Sequence, residues 1–162
     1  MAEELKPGDR APAFRLETDD GGRISNAELK GKPFVIYFYP KDDTSGCTRE
    51  AIAFSQEKKR FDSLGATVIG VSKDNSSSHQ KFREKYQLTV KLAADTELKA
   101  AEAWGTWVEK SMYGRRYMGM ERSTFLVDEK GVIRAVWRKV KVPGHAAAVL
   151  AALRALPAAR NS

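Results

Sequence analysis

The sequence predicts an α/β fold in which a mixed central sheet is flanked by helices and preceded by an N-terminal hairpin. Two continuous apolar runs, PFVIYFY at 33–39 and ATVIGVS at 66–72, are typical of strands buried on both faces of a sheet. Because a helix-like segment separates them, these two strands should be parallel. A chain of 162 residues is long enough for a substantial core, and we expect a single domain over residues 1–162.

The elements before the second buried strand follow from turn and helix signals. The segment FRLETDDGGRISNAEL alternates in polarity and turns at Gly21-Gly22, which predicts the N-terminal hairpin. The residues from Thr48 to Leu64 suit a helix, because Phe54 and Phe61 share a face at a spacing of seven. Gly65 is well suited to end that helix.

The later elements complete the mixed sheet and its helices. The segment SSSHQKFREKYQ predicts a helix capped by one of its serines, and DTELKAAEAWG predicts another between Asp95 and Gly105. STFLVDEKGVIRAVW indicates a strand, a turn and an antiparallel strand, and PGHAAAVLAALRAL a final helix. This order is close to a thioredoxin-like arrangement, although a fold alone does not give a function.

Composition and charge narrow the classes of protein. The net charge is +7, but basic residues are scattered among acidic ones, as in EKKRFD, which favours a solvated basic surface over a nucleic-acid site. Salt-dependent DNA binding would support the nucleic-acid alternative.

No apolar run is long enough for a membrane span, and MAEELKPGDRAPAF lacks the apolar region of a secretory signal. A single cysteine allows no internal disulfide, so we expect a reducing cytoplasm.

That single cysteine, Cys47, lies in the segment YPKDDTSGCTRE, between a buried strand and the next helix. This is the carboxyl end of a central strand, where α/β folds usually place their sites. The N–H groups and partial positive charge of a helix N-terminus favour a thiolate, which is the nucleophilic form of cysteine. The setting therefore makes Cys47 a candidate catalyst, with Thr44, loop N–H groups and a cation as candidate donors to its substrate.

Other interpretations of Cys47 stay open on the residues alone. A lone cysteine is often an inert, small apolar residue of the core. A dithiol oxidoreductase is disfavoured because Cys-x-x-Cys is absent, and a metal site because His79 and His145 are isolated in the sequence. We accordingly expect no metal and no cofactor.

The segment YPKDDTSGCTRE resembles the active-site loop of peroxiredoxins, whose motif is Pro-x-x-x-Thr/Ser-x-x-Cys and here runs from Pro40 to Cys47. It is most similar to the bacterioferritin comigratory protein (PrxQ) branch. The segments LKPGDRAPAFRL, VIGVSKD, YGRRYMGMERSTFLVDEKGVIR and VWRKVKVPGHAAAVL are also similar to that branch, so the resemblance covers about residues 5–150. It implies a thioredoxin-like fold and a peroxidase for hydrogen peroxide and organic hydroperoxides, with a role in antioxidant defence.

The resemblance also implies a role for each site residue. The Cys47 thiolate would attack the terminal peroxide oxygen and become a sulfenic acid. Thr44 would hydrogen-bond the peroxide and the sulfur, and Pro40 would shield the pocket from water. Arg122, in ERSTFLVD, matches the family arginine that binds the peroxide and favours the thiolate. Glu50 matches an acidic residue that orients this arginine.

The chain departs from the family pattern at the resolving cysteine. Many members of the branch have it five residues after the first cysteine, where this chain has Ile52, and others have it in the next helix, where this chain has none. The resemblance therefore implies an external reductant: thioredoxin, glutaredoxin, glutathione or Cys47 of a second copy. We expect a monomer, with a transient dimer through Cys47 as the alternative. A redox sensor that captures partners on oxidation is the rival function.

Overall fold

The computed structural model describes residues 4–157, which contain nine strands and five helices. The strands are β1 Arg15–Thr18, β2 Arg23–Ser25, β3 Phe34–Phe38, β4 Thr67–Ser72, β5 Lys91–Ala94, β6 Trp107–Met112, β7 Arg115–Met120, β8 Ser123–Val127 and β9 Ile133–Trp137. The helices are α1 Ser45–Gln56, α2 Lys58–Ser63, α3 Ser76–Tyr86, α4 Lys99–Ala103 and α5 His145–Arg154. Residues 1–3, which begin the segment MAEELKPGDRAPAF, and residues 158–162, which end the expected 1–162 domain, lie outside the described residues.

Seven of these strands form one mixed sheet in the order β2-β1-β5-β4-β3-β8-β9. Strand β4 is parallel to both β3 and β5, whereas β3 pairs with β8 and β8 with β9 in antiparallel fashion. The β1–β2 hairpin forms one edge of the sheet. The predicted fold class is therefore confirmed: a mixed central sheet with helices on its faces and an N-terminal hairpin.

The side chains of β3 alternate between two hydrophobic clusters, as the period of two in a strand requires. Ile36 and Phe38 belong to a cluster that also contains Trp104, which follows α4. Tyr37 belongs to the second cluster, together with Cys47 and residues of α1, α2, α3 and α5. All five residues of β3 are buried, which explains why its sequence is a continuous apolar run.

Two helix predictions are corrected by the structure. The helix predicted over 48–64 begins earlier, at Ser45, and is interrupted at Glu57, so that it forms α1 and α2. Gly65 does follow α2 with a positive φ of 75°. The cap of α3 is Asn75, whose side chain accepts from the Ser78 N–H, instead of one of the predicted serines.

Three strands were absent from the sequence-based prediction. These are β5 in the main sheet and the separate two-stranded hairpin of β6 and β7. The hairpin turns at Tyr113-Gly114, where both residues have positive φ, as a type I′ turn requires. A helix long and apolar enough to cross a membrane does not occur within residues 4–157.

Candidate active site

The site lies where β3 ends and α1 begins. Pro40 follows the strand and is partly buried, and the loop then leads to Thr44 at the N-cap of α1. Cys47 is the third residue of α1, so its sulfur lies in the first turn, beside the partial positive charge of the helix N-terminus. Only 1% of Cys47 is exposed to solvent, because Tyr37, Ala51 and Phe54 belong to the same cluster.

Arg122 reaches this helix turn from the neighbouring strand. Phe38 pairs with Ser123 in the β3–β8 ladder, which places the preceding Arg122 beside the carboxyl end of β3. Arg122 Nη2 donates to Cys47 Sγ at 3.3 Å, and Nη1 donates to Glu50 Oε1 at 2.7 Å. A Cβ on Gly46 would lie 3.1 Å from Arg122 Nη2, so a larger side chain there would crowd the guanidinium.

Glu50 is the buried acidic partner of this arginine. Burial raises the pKa of Glu50 to about 7, although Arg122 acts in the opposite direction. Within residues 4–157, Glu50 Oε2 has no hydrogen-bond partner, which adds to the cost of ionising the carboxyl. Burial also acts to lower the pKa of Arg122, but Glu50 and Cys47 outweigh it, so the net change is upward.

Thr44 and Pro40 lie next to this cluster without contacting the sulfur through a hydrogen bond. Thr44 Oγ1 donates to the Lys41 carbonyl at 2.8 Å, so its bond is to the loop and not to Cys47 Sγ. The Thr44 side chain makes no capping hydrogen bond to α1 either. Thus Cys47, Arg122 and Glu50 are joined by contacts, whereas Thr44 and Pro40 are adjacent through the backbone.

Two polar residues near the site, Tyr37 and His145, were not singled out as catalytic from the sequence. The Tyr37 hydroxyl is fully buried and unpartnered among the described residues, and burial followed by the charges of Glu50 and Cys47 raises its pKa well above the ordinary value. His145 Nε2 lies 2.8 Å from Thr124 Oγ1. Burial and then the Arg122 charge lower the pKa of His145 to about 4, so the ring is neutral at pH 7.

The loop before Cys47 is fixed by a second buried polar cluster. Asp42 Oδ1 accepts from the Tyr39 hydroxyl at 2.6 Å, while Asp42 Oδ2 lies 2.7 Å from both Ser78 Oγ and His79 Nδ1. Asp42 therefore has a tertiary role, because Ser78 and His79 belong to α3 and connect the loop to that helix.

The aromatic and methionine side chains between residues 104 and 120 lie partly in the core and partly on the surface. Trp104 and Met120 are buried and pack in the core. Tyr113 is 99% exposed at the hairpin tip, and Met112 and Met118 are exposed on the same hairpin. Among residues 4–157, no group of three or more His, Cys, Asp and Glu side chains is arranged to hold a metal ion.

Comparison with known proteins identifies the family. Residues 7–136 match the AhpC/TSA family. Peroxiredoxin Bcp of Bacillus subtilis is 46% identical over 150 residues, which cover 93% of this chain and 96% of that protein.

Solved structures agree with this match. The bacterioferritin comigratory protein of Xanthomonas campestris, studied for its alkyl peroxide reduction activity, has a TM-score of 0.84 and 42% identity, covering 88% of this chain and 90% of that one. PrxQ of Xylella fastidiosa has a TM-score of 0.89 and 35% identity, covering 95% of this chain and 98% of that one. The chain therefore belongs to the AhpC/TSA family, in its Bcp/PrxQ branch of peroxiredoxins, and is a thiol-dependent peroxidase.

Proposed function

We propose that Cys47 is the nucleophile of this peroxidase and that Arg122, Thr44, Pro40 and Glu50 complete its site. The observation that supports this most directly is the arginine bridge, in which one guanidinium contacts both Cys47 Sγ and Glu50. A cation against the sulfur favours the thiolate, and the remaining N–H groups of a guanidinium can donate to a peroxide.

The reaction begins with attack of the Cys47 thiolate on the terminal peroxide oxygen. An S–O bond forms, the O–O bond breaks, and the leaving oxygen takes a proton and departs as water or an alcohol. Negative charge moves onto the leaving oxygen in the transition state, so fixed N–H donors such as Arg122 lower the barrier. Cys47 is left as a sulfenic acid.

The other residues of the site support this step. Pro40 has no N–H and fixes the start of the loop, so it limits the access of water to the sulfur. Thr44 lies one helix turn before Cys47, where its hydroxyl can accept from or donate to the bound peroxide. Glu50 acts on Arg122 and not on the peroxide, because its carboxyl is buried behind the guanidinium.

Because the sequence has one cysteine, an external thiol must reduce the sulfenic acid. The candidate donors are thioredoxin, glutaredoxin, glutathione and Cys47 of a second copy in a transient dimer of an otherwise monomeric protein. Such a cycle needs a reducing compartment, which supports a cytoplasmic location and a role in antioxidant defence. Hydrogen peroxide and organic hydroperoxides both carry the terminal oxygen that the mechanism requires.

The direct test mixes the reduced protein with one equivalent of hydrogen peroxide and follows fluorescence and intact mass. We expect rapid addition of one oxygen atom at Cys47, reversed by an added thiol. Cys47→Ser should keep the fold and lose peroxide consumption. Retained activity in that variant, or a thiol that reacts no faster than free cysteine, would contradict the proposal.

A further inference from the structure

Two tyrosines at the carboxyl end of β3 are buried side by side, and they differ in their hydrogen bonding. Tyr37 and Tyr39 are 0% and 1% exposed, and their ring centroids lie 5.6 Å apart. The Tyr39 hydroxyl donates to Asp42 Oδ1 at 2.6 Å, whereas the Tyr37 hydroxyl has no partner within residues 4–157. Only Tyr39 therefore has a base within reach of its phenolic proton.

The polar network behind Tyr39 has room for an additional proton. Asp42 Oδ2 lies 2.7 Å from His79 Nδ1, and the Asp42 N–H donates to Asp74 Oδ2 at 2.8 Å. His79 Nε2 lies 3.0 Å from the Ala93 carbonyl, so this nitrogen carries a proton and Nδ1 faces the carboxyl of Asp42. With both carboxyls ionised, the network is net negative whether His79 is neutral or positive. A proton that arrives at Asp42 consequently reduces an excess of negative charge in the interior.

The environment of Tyr39 couples the loss of an electron to the loss of this proton. Burial and then the charge of Asp42 raise the pKa of Tyr39 well above its ordinary value, so the phenol is the resting form. Removal of one electron reverses this preference, because an oxidised phenol is a strong acid and releases its proton to a hydrogen-bonded base. Oxidation of Tyr37 would instead leave a positive charge in the hydrophobic cluster, with no base to take up the proton.

A row of aromatic rings connects Tyr39 to the surface of α3. The ring centroids lie 6.3 Å apart between Tyr39 and Phe82, and 5.7 Å apart between Phe82 and Tyr86. Tyr86 is partly exposed, and its hydroxyl donates to Asp43 at 2.6 Å. The Lys85 ammonium lies 5.3 Å from the Tyr86 ring, and its hydrogen bond to Asp43 lowers the pKa of that carboxyl, which makes Asp43 a weak base. Both effects disfavour a radical on Tyr86 and favour its transfer inward to Tyr39.

We propose that Tyr39 is a one-electron redox site and that Tyr86 connects it to the surface. The inference goes beyond the peroxidase function, since the reaction involves neither Cys47 nor a peroxide. The oxidant is a radical anion such as the carbonate radical, which the net charge of +7 attracts and which becomes carbonate by taking one electron from Tyr86. The Tyr86 proton moves to Asp43 and returns when Tyr86 takes an electron from Tyr39. The Tyr39 O–H bond breaks, its proton goes to Asp42, and a neutral tyrosyl radical remains.

The test uses Cys47→Ser as the parent protein, so that the sulfur does not react with the radical. The carbonate radical is generated by pulse radiolysis in bicarbonate, and the tyrosyl radical is followed by its visible absorption and, after freezing, by electron paramagnetic resonance. We expect a long-lived tyrosyl radical, because a buried ring cannot couple with a radical on a second molecule. Tyr39→Phe in this background should abolish the long-lived radical. Tyr113→Phe, the same change at a 99% exposed position, should retain it.

Two outcomes would overturn the assignment of the radical to Tyr39. One is a long-lived radical that persists in the Tyr39→Phe variant, and the other is the absence of a long-lived tyrosyl radical in the parent protein. Tyr37→Phe should retain the radical, since the Tyr37 hydroxyl has no base. Peroxide consumption by the wild type is measured separately, so failure of this inference leaves the proposed peroxidase function intact.

Asp42→Asn tests the proton transfer. The amide keeps a hydrogen-bond acceptor beside Tyr39 but does not take up the proton, so the yield of the long-lived radical should fall about tenfold or more. If this variant does not fold, the parent protein is compared in light and heavy water, where the radical should form more slowly in heavy water. An unchanged yield in folded Asp42→Asn, or equal rates in the two solvents, contradicts transfer to Asp42.

Tyr86→Phe tests the route from the surface. Loss of its hydroxyl should slow the formation of the Tyr39 radical and leave the lifetime of that radical unchanged, because the Asp42 network is intact. Tyr117→Phe, the same substitution at a 44% exposed position on the β6–β7 hairpin, is the matched control. An equal rate of formation in Tyr86→Phe and in the control would show that the electron does not pass through Tyr86.

Discussion

Arg122 is the residue through which the groups of the site interact. Its two terminal nitrogens contact different partners, Cys47 Sγ at 3.3 Å and Glu50 Oε1 at 2.7 Å. Its side chain is 17% exposed, so the charge is only partly screened by water. Any change in the position of this guanidinium therefore affects both the sulfur and the carboxyl.

We expect Arg122→Gln to slow the reaction of Cys47 with hydrogen peroxide about 100-fold or more, because a donor to the leaving oxygen is lost. Alkylation by iodoacetamide involves no such oxygen and should slow by less than about tenfold. Arg116→Gln is the matched control, since the Arg116 side chain is 82% exposed on the hairpin. Equal losses in both reactions would show that Arg122 does not orient the peroxide.

The buried carboxyl of Glu50 leads to a second prediction, which concerns the pH dependence of the free energy of unfolding. Its folded pKa of about 7 lies above the ordinary 4.5, so between these values the folded protein binds a proton that the unfolded chain has released. This contribution to the free energy of unfolding is complete below about pH 4.5 and is lost as the pH rises through 7. Relative to Glu50→Gln, the wild type should lose on the order of 3 kcal/mol over that range, measured by urea unfolding of the reduced proteins. A constant difference would mean that Glu50 ionises as readily in the folded state as in the unfolded chain.

Some residues of this candidate site could be predicted from the sequence and others could not, for a physical reason. Cys47, Thr44 and Pro40 lie in one short segment of the sequence with a recognisable spacing, and Arg122 and Glu50 match positions in family segments. Tyr37 and His145 belong to an apolar strand and an alanine-rich helix, and both patterns indicate core. Their polar atoms acquire importance only through tertiary neighbours, which a pattern along the chain does not contain.

Among the elements, α5 is the helix whose first residue reaches the site. His145 is buried between Phe54 and Trp137, with ring centroids 5.9 and 5.6 Å away. Burial first, and the nearby Arg122 charge second, oppose a positive charge on this ring and lower its pKa to about 4. The packing of α5 therefore holds its histidine in the neutral form at pH 7.

This gives a prediction with the opposite pH dependence to that of Glu50. The folded pKa of His145 is about 4, below the ordinary 6.5, so on acidification the unfolded chain takes up the proton first. The wild type should lose roughly 3 kcal/mol of unfolding free energy relative to His145→Gln between about pH 6.5 and pH 4. Urea unfolding of both proteins at both pH values measures this difference. The contribution of Glu50 to the pH dependence cancels in the comparison, because both proteins contain Glu50. An unchanged difference would contradict a neutral, buried ring.

The elements that were predicted correctly are those with strong local patterns. Strands β3 and β4 are continuous apolar runs, and the β8–β9 hairpin has a clear turn between its strands. Strand β5 has the sequence KLAA, whose lysine and alanines have low strand propensity, so its pairing with β1 and β4 decides its structure. The β6–β7 hairpin is mostly exposed and polar, and Tyr-Gly is a weaker turn signal than Asn-Gly.

At the scale of the whole molecule, the sheet separates two hydrophobic clusters, and only one of them contains the site. Trp104 is buried in the cluster opposite Cys47, whereas Trp137 packs against the cluster that includes Cys47. Trp104 and Trp137 therefore lie on opposite sides of the sheet, and only Trp137 is on the side that contains Cys47.

We expect the fluorescence change on Cys47 oxidation to come mainly from Trp137. Trp137→Phe should remove most of this change, because the indole packs with His145 next to the site. Trp104→Phe should retain it while lowering the free energy of unfolding, since it alters a fully buried aromatic contact with Phe125. The fluorescence of each variant is followed after rapid mixing with one equivalent of peroxide, and intact mass checks that Cys47 has been oxidised. Loss of the signal in Trp104→Phe alone would contradict this separation.

The presence of one cysteine also fixes the kinetic order of the second half of the cycle. In a chain with a resolving cysteine, the oxidised sulfur is captured in a first-order step whose rate does not depend on the donor. Here that capture is second-order, so the lifetime of the oxidised enzyme varies inversely with the donor concentration. The oxidised fraction of the protein at steady state consequently depends on the ratio of peroxide to donor thiol, and it rises when either peroxide increases or the thiol supply falls.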